Sequence, residues 1–317
     1  RLTATPHNIQ IRKTGYVTYK KTITPKPGFS QTISAKLLTP RQAKLAAIPK
    51  RYSTKGGQEM VLVSGGRFTM GSPRREQGRR ANEGQRDIQL KRNFFIATKE
   101  TSNEQFRQFR KSHSSGIVAR KTLDNDNHAA SRVSWKDAVA YCNWLSEKEG
   151  LPAAYKDNKL IVPVNTGYRL PTEAEWVWVA RFAKEQNLKY PWGNNMPPTG
   201  NAGNYADTSA AAIMNEFLTS YRDGYAAVAP TGRFNPNRLG IYDLGGNVSE
   251  WTTDYYKGFA GSLELEVDPI GEGKGETHTI RGSSWRHGRI TELRLAYRDS
   301  GAGGKDDVGF RIARYAE

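Results

Sequence analysis

Apolar residues recur at helical spacing in two segments of the first half of the chain. Residues 99–109 place Phe106 and Phe109 on one stripe, behind a Thr or Ser that can cap a helix and a Glu that follows it. Residues 134–149 repeat the pattern behind Ser134. The sequence therefore predicts a first helix over 99–109 and a second over 134–149.

A third helix is predicted to begin at Pro171. Thr172 is a capping residue, and Glu175 lies three positions later and closes a capping box. The stripe behind this cap, predicted to be buried, contains Trp176, Val179 and Ala180. Arg169 and Glu173 carry opposite charges around the cap. We interpret them as a structural ion pair rather than as an acid and a base.

Near the N-terminus, polar and apolar residues alternate, which is the pattern of strands rather than of helices. The pattern predicts three short strands, over 9–16, 19–24 and 31–37. Prolines and a glycine at 25–28 predict the turn before the third strand. This segment resembles the later half of a PEGA-type β-module, a family typical of bacterial cell surfaces, and an ordinary three-stranded appendage explains it as well.

Three parts follow from these patterns. The β-module covers residues 1–38, a basic linker ending at two glycines covers 39–58, and the main domain covers 59–317. The 31 glycines and 15 prolines predict a loop-rich α+β architecture. Seven tryptophans and 37% hydrophobic residues are enough for a sizeable core.

The chain carries 48 basic and 31 acidic residues, a formal net charge of +17. Such a charge attracts polyanions. The basic residues look thinly spread, and no helix-turn-helix, zinc-finger, RRM or KH pattern presents them to a nucleic acid, so nucleic acid is not an expected partner. An acidic protein, an anionic envelope polysaccharide or a lipid headgroup explains the charge equally well.

A single cysteine, Cys142, excludes an intrachain disulfide and a cysteine-based zinc site. Its place in the second predicted helix indicates a buried, unreactive thiol. No run of 18 apolar residues is present, so no transmembrane segment is predicted. The sequence opens at Arg1 without a signal-peptide pattern, so any signal peptide is expected to have been removed or to lie outside this sequence.

The segment 240–251 (GIYDLGGNVSEW) combines acidic and amide side chains with glycines. Asp243, Asn247 and Glu250 supply oxygens that a hard cation prefers, and Gly245 and Gly246 let backbone carbonyls approach. The pattern predicts a calcium loop, and a plain Asx turn is the alternative.

Six further blocks occur with this loop in the chain: GGRFTMG at 65–71, VSWKDA at 133–138, YRLPTEAEW at 168–176, YPWG at 190–193, RGSSW at 281–285 and GFR at 309–311. Together they resemble the formylglycine-generating enzyme (sulfatase-modifying factor) family. The resemblance implies a C-type-lectin-like fold with two structural calcium ions. It places the ligands of the first ion at Asp243, the carbonyls of Gly246 and Val248, and Glu250. It places those of the second at Asn204, the Tyr205 carbonyl, Asp223 and the Tyr225 carbonyl.

Enzymes of this family oxidise a substrate cysteine with copper held by two cysteine thiolates. The comparable segment here, residues 282–298, contains no cysteine. The resemblance places Leu295 at the second copper ligand and the first near 288–290. Copper(I) needs soft thiolate ligands, so no copper and no oxidase chemistry are expected.

The leading hypothesis is a non-catalytic pseudoenzyme domain, exported to the periplasm or cell surface of a bacterium, that binds or scaffolds other envelope or surface proteins. A former substrate groove is predicted to take a peptide or glycan, lined by Trp285, Arg286, His287, Arg294 and Arg298. Internal anchoring of Arg294 and Arg298 is the alternative.

Two other functions stay open from the sequence. One is a metal-dependent oxidase with an altered site, for which His287, His278 and Asp299 offer an iron triad that no spacing supports. The other is a polyanion-binding module, which rests on the net charge alone.

Overall fold

A computed structural model describes residues 2–182, 187–258, 261–262, 264–271 and 273–317 of the chain. The chain forms two compact units, Arg1–Lys50 and Arg51–Glu317. The larger unit begins eight residues before its predicted start at 59, because residues of the predicted linker form a strand that pairs with residues 59–61.

The described residues form seventeen strands: β1 (His7–Ile11), β2 (Tyr19–Ile23), β3 (Arg51–Ser53), β4 (Glu59–Val63), β5 (Arg67–Met70), β6 (Arg86–Gln89), β7 (Phe94–Ala97), β8 (Ile117–Val118), β9 (Lys121–Thr122), β10 (Tyr155–Lys156), β11 (Lys159–Leu160), β12 (Ser249–Tyr255), β13 (Leu265–Val267), β14 (His278–Arg281), β15 (Arg298–Gly301), β16 (Val308–Gly309) and β17 (Ala313–Tyr315). Five α-helices accompany them: α1 (Pro40–Ala46), α2 (Asn103–Phe109), α3 (Trp135–Lys148), α4 (Glu173–Val177) and α5 (Ile290–Leu293). A π-helical turn, Trp178–Phe182, continues α4, and Thr208–Ala210 form one 3₁₀ turn.

The smaller unit contains one antiparallel hairpin and one short helix. Strands β1 and β2 pair from His7 opposite Ile23 to Ile11 opposite Tyr19. The third predicted strand does not form, since residues 31–37 have no strand partner in the described chain. Helix α1 lies inside the predicted linker and starts at a capping box on Thr39. None of residues 2–50 is buried, so this unit has no closed core.

The larger unit arranges its longer strands in three sheets. Their strand orders are β15-β14-β12-β16, β13-β6-β5 and β17-β7-β4-β3. The first sheet is mixed, because β16 runs parallel to β12 while β14 runs antiparallel to it. Hairpins β8-β9 and β10-β11 lie outside these sheets. The result is the loop-rich α+β architecture that the composition predicts.

The predicted helices form behind their predicted caps. The hydroxyls of Ser102, Ser134 and Thr172 each accept a hydrogen bond from the backbone N–H three residues on, at the starts of α2, α3 and α4. Each cap is a reciprocal capping box, with the third residue's side chain returning to the cap backbone. Local sequence therefore sets where these helices begin.

The core of the larger unit is rich in aromatic side chains. Trp176, Trp251 and Trp285 are fully buried, and the predicted stripe on the third helix is buried with them. Trp251 Nε1 donates to the Val133 carbonyl at 2.9 Å, which ties the 240–251 segment to the start of α3. This bond satisfies the indole donor of Trp251 inside the core.

The predicted ion pair between Arg169 and Glu173 does not form. Arg169 pairs with Glu175, not Glu173, with Nη2–Oε1 at 2.6 Å and both side chains buried. Glu173 instead accepts from Arg298, with Nε–Oε1 at 2.5 Å. The first turn of α4 presents its two carboxylates in different directions, so each meets a different arginine.

Candidate functional site

Two loops that the sequence predicts to bind calcium lie against each other. Asn247 N–H donates to the Asn204 carbonyl at 2.8 Å, and Asn204 Nδ2 donates to Asn247 Oδ1 at 3.2 Å. Gly246 has a φ of 87°, and a Cβ there would lie 2.6 Å from the Asn204 carbonyl oxygen. Only glycine permits both this backbone conformation and this close approach.

The first predicted ligand set is partly occupied by protein groups. Glu250 is fully buried, and Arg311 binds both of its oxygens, with Nε–Oε2 and Nη2–Oε1 each at 2.6 Å. Trp176 Nε1 donates to Glu250 Oε2 at 2.9 Å. Asp243 Oδ2 accepts from the Gly232 N–H at 2.6 Å. Arg311 thus supplies the positive charge at Glu250 that the sequence analysis assigned to calcium.

A third carboxylate, Glu100, joins this cluster and was missed from the sequence. Its oxygens accept from Asn247 Nδ2 at 2.6 Å and from the Val248 N–H at 3.0 Å. Burial, with Asp243 and Glu250 nearby, raises the pKa of Glu100 well above its usual value. Burial also raises the pKa of Asp243 to about 6. Glu100 and Asp243 are therefore the carboxylates of this cluster whose charged forms burial disfavours.

In the second predicted set, Asp223 is bound by backbone N–H groups of the same two tyrosines whose carbonyls were predicted as ligands. Its carboxylate accepts from the Tyr205 N–H at 2.8 Å and the Tyr225 N–H at 2.7 Å. Desolvation raises the pKa of Asp223 to about 7, with Asp207 adding like-charge repulsion. Asp207 is buried and accepts a bond from the Asp223 N–H. No motif in the sequence points to Asp207.

The second set fits a hard cation. Asn204 Oδ1 is a buried oxygen without a hydrogen-bond partner. Burial disfavours the charged form of the Asp223 carboxylate, which is bound by the N–H of the residue after Asn204. A calcium ion satisfies both conditions. The first set fits less well, because Glu250 is committed to Arg311. No group of three His, Cys, Asp or Glu side chains in the described part of the chain is arranged to hold a metal, so any calcium site here depends on amide and carbonyl oxygens.

The predicted binding groove is not assembled at the surface. Trp285, Arg294 and Arg298 are buried, so the prediction that they line a groove is wrong. Arg294 pairs with Glu83 at 2.6 Å, and Arg298 pairs with Glu173, which is the internal anchoring considered as the alternative. These guanidinium groups bind buried carboxylates inside the fold and are not presented to a ligand at the surface.

Arg286 and His287, the other two predicted groove residues, are half-buried. Arg286 binds both oxygens of Asp306, at 2.9 and 2.7 Å. His287 Nδ1 accepts from the Ser284 N–H at 3.0 Å. This bond leaves the proton of the neutral ring on Nε2.

Ser284, His287 and Asp307 form a cluster that cannot act as a hydrolytic triad. Ser284 is fully buried, and its Oγ donates to Asp307 Oδ2 at 2.7 Å. A triad needs the histidine to accept the serine proton and to donate to the aspartate. Here serine donates directly to aspartate, so no nucleophile is activated.

The iron triad considered from the sequence does not assemble either. His278 stacks between the Trp135 ring, with centroids 3.5 Å apart, and the Tyr255 ring at 4.2 Å. Burial lowers the pKa of His278 to about 4. His278, His287 and Asp299 do not form a metal-binding group within the described residues.

The segment comparable to the copper site is built as a structural element. Leu295 is buried, and its N–H donates to the Lys189 carbonyl at 2.8 Å. Arg281, also buried, donates to the carbonyls of Leu295 at 2.9 Å and Ala296 at 3.0 Å. The only cysteine in the sequence, Cys142, is fully buried in α3, and burial raises the pKa of its thiol. No thiolate is available where copper would bind.

Comparison with known families gives a match over most of the chain. The model described as "Sulfatase-modifying factor enzyme 1-like domain" matches residues 46–316.

Among the residues that the structure describes, no helix combines the length and apolar character needed to cross a bilayer.

Curated relatives include proteins named as formylglycine-generating enzymes, proteins named as inactive enzymes and a protein named as a chaperone. The mouse (Mus musculus) formylglycine-generating enzyme is 35% identical over 165 residues, covering 51% of this chain and 37% of that protein. The inactive C-alpha-formylglycine-generating enzyme 2 of Bos taurus is 32% identical over 185 residues, covering 57% and 48%. The chaperone protein LppX of Paenibacillus barcinonensis is 28% identical over 240 residues, covering 69% and 80%. The chain thus spans only 37% of the mouse enzyme's length.

Solved structures show the same fold. PvdO from Pseudomonas aeruginosa superposes with a TM-score of 0.64 at 25% identity, covering 84% of this chain and 97% of that chain. Variable protein 1 of Treponema denticola superposes with a TM-score of 0.65 at 20% identity, covering 84% and 98%. Most of this chain therefore shares its fold with both.

Proposed function

Since the chain belongs to the sulfatase-modifying factor enzyme 1-like family and offers no thiolate pair for copper, we propose that it works without oxidase chemistry. It serves as a binding or scaffold component of a bacterial cell-envelope or surface assembly. Its partners in this proposal are other envelope proteins, and its larger unit has the C-type-lectin-like arrangement that the family resemblance implies.

One observation carries the non-catalytic part of this proposal. Leu295, at the position that the resemblance assigns to a copper ligand, is buried, and Arg281 binds its carbonyl. A buried guanidinium that donates to consecutive carbonyls fixes the backbone. The segment therefore stabilises the fold where an oxidase would bind metal and substrate.

The relatives support a role outside oxidation. One carries "inactive" in its name and another is named a chaperone protein. Family membership alone does not transfer chemistry, because function depends on the residues of the site. The names of these two relatives are consistent with a family that has non-catalytic members.

Calcium is part of the proposal as a structural ion. Asn204 and Asp223, with the Tyr205 and Tyr225 carbonyls, would hold it, and its charge would compensate carboxylates that burial disfavours. The chain's own residues already link the two loops through the hydrogen bonds between Asn204 and Asn247. An ion bound only by the folded state adds stability by mass action.

The oxidase test uses the full chain loaded with copper(I) under anaerobic conditions. A cysteine-containing peptide and oxygen are then added, and aldehyde formation is followed by mass spectrometry. We expect neither stoichiometric copper nor aldehyde. The formylglycine-generating enzyme of Thermomonospora curvata, another relative, is the positive control. Copper at one equivalent with aldehyde formation would overturn the non-catalytic assignment.

The scaffold test uses the native cell. Native electrophoresis of an envelope extract should recover the chain in a complex well above its own 35.4 kDa. Recovery as a free chain from the cytosol would contradict an envelope role.

The calcium test compares metal content and thermal unfolding before and after chelation. Calcium should raise the melting temperature of the wild-type chain, and Asp223→Asn should remove most of that increase. The exposed Asp157 provides the control variant, Asp157→Asn, which should keep it. If neither chelator nor added calcium changes the melting temperature, a structural calcium ion is excluded.

A further inference from the structure

The net positive charge of the chain is concentrated in residues 1–50, so the expectation of thinly spread basic residues is wrong. Residues 1–50 contain ten of the 48 Lys and Arg residues and none of the 31 Asp and Glu residues. The other 267 residues carry 38 basic and 31 acidic residues, a net charge of +7. More than half of the net charge thus belongs to the smaller unit.

The smaller unit cannot neutralise its own cations, because it has no carboxylate side chain. Lys20, Lys21 and Lys26 are all exposed. Lys20 and Lys21 are consecutive on β2, so their side chains leave opposite faces of the hairpin. Lys21 lies opposite Ile9 in the register, which places a cation on the apolar face.

Large apolar side chains of this unit are exposed beside these cations. Phe29 is 77% exposed and Leu2 is 57% exposed. Both line an open cavity of about 740 Å³, together with Ile9, Ile23 and Lys26. At the hairpin loop, Val17 is 45% exposed. Exposed apolar groups framed by cations indicate an interaction surface.

We propose that the smaller unit docks on an anionic lipid surface. Its lysines are attracted to the headgroups, and Phe29 with the apolar residues beside it enters the interface. Charge alone would suit any polyanion, but aliphatic and phenyl groups gain free energy only where they leave water. A lipid surface uses both features at once, whereas an acidic polysaccharide uses only the charge.

This inference deepens the proposed envelope function and rests on it for the location of the membrane. The lipid surface is recognised by its negative headgroups, so phosphatidylglycerol in phosphatidylcholine vesicles is the probe. Co-sedimentation of the full chain should occur with these vesicles and not with pure phosphatidylcholine. Raising the salt to about 0.5 M should weaken it, because screening shortens the reach of the headgroup charge.

Two variants separate charge from apolar insertion. Lys20→Glu, Lys21→Glu and Lys26→Glu together should lower the vesicle partition coefficient by more than about a hundredfold, because three attractive charges become repulsive. Phe29→Ser should lower it about tenfold. Matched controls in the larger unit are the triple variant of the exposed Lys121, Lys156 and Lys159 to Glu and the exposed Ile117 to Ser. The control triple changes the charge by the same amount, and Ile117→Ser removes another exposed apolar side chain. Both controls should bind as the wild type does.

Three results would overturn the proposal. The first is that the chain does not sediment with anionic vesicles. The second is that both lysine triple variants lose vesicle binding equally. The third is that the chain binds heparin or single-stranded DNA at the same salt concentration, and that Phe29→Ser does not weaken this binding. The last result would identify a general polyanion binder. Each can occur while the chain still lacks oxidase activity and still resides in an envelope complex, so failure of the lipid surface is distinguishable from failure of the proposed function.

Discussion

Charged side chains have opposite surroundings in the two units of this chain. Residues 2–50 bury none of their basic residues. In the larger unit, four fully buried arginines approach carboxylates within 4 Å: Arg169, Arg281, Arg294 and Arg311. A buried pair holds its partners in one geometry, and an exposed cation without an acidic neighbour remains available to another molecule. Buried basic side chains therefore organise the fold of the larger unit, whereas the basic side chains of residues 2–50 all lie at the surface of the smaller unit.

The largest expected difference between the units is in local stability. Backbone amides of β1 and β2 belong to a two-stranded hairpin without buried residues, which is marginal in water. Amides of β12 and β14 lie in a four-stranded sheet with buried residues. Hydrogen exchange followed by mass spectrometry should be faster in the hairpin by about a thousandfold or more. Equal protection would mean that the smaller unit has a core of its own.

Breaking a buried pair should have the next largest effect. Arg294→Met leaves Glu83 buried without its guanidinium, which costs about 3–5 kcal/mol of unfolding free energy. Arg12→Met, at an exposed position in the smaller unit, should change stability by less than about 0.5 kcal/mol. Chemical denaturation of both variants measures the difference. Similar values for the two would show that burial does not set the contribution of these arginines.

A buried carboxylate should make the larger unit sensitive to pH. Desolvation and Glu173 raise the pKa of Asp254 to about 7, while its Oδ2 accepts from the Glu173 N–H. Because the folded pKa exceeds the unfolded value of 3.8, this contribution to stability is present below about pH 4 and is lost as the pH rises to about 7. Asp254→Asn should remove that part of the slope, about 1–3 kcal/mol between pH 5 and pH 8. Unfolding free energies across this range test it, and an unchanged slope would assign the pH dependence to other groups.

The smallest effect is expected at an exposed pair in the larger unit. Arg289 and Glu216 form an ion pair with both side chains more than half exposed. Solvent screens such a pair, so Arg289→Ala should leave the melting temperature unchanged within error. A clear drop, measured by calorimetry, would show that exposed pairs also stabilise this unit.

Several features of the fold and site could be predicted from short segments of sequence. The caps at Ser102, Ser134 and Thr172 were predictable because a cap and its partner lie three residues apart. The calcium ligand set of Asn204 and Asp223 comes from the family resemblance rather than from spacing, and it stays a prediction. Glu100 was not predictable, since its partner Asn247 is 147 residues away in the chain. No local pattern reports a contact of that separation.

Residue identity and neighbours within one helical turn are enough to assign the family, the helix starts and the lack of a thiolate pair. The three-dimensional packing was needed to show that Arg298 meets Glu173 across 125 residues, that Trp285 and Arg294 are buried rather than exposed, and that Arg311 binds Glu250. Desolvation explains this division. A guanidinium or carboxylate removed from water must find a partner in its immediate surroundings, and only the packing of distant loops determines which partner that is.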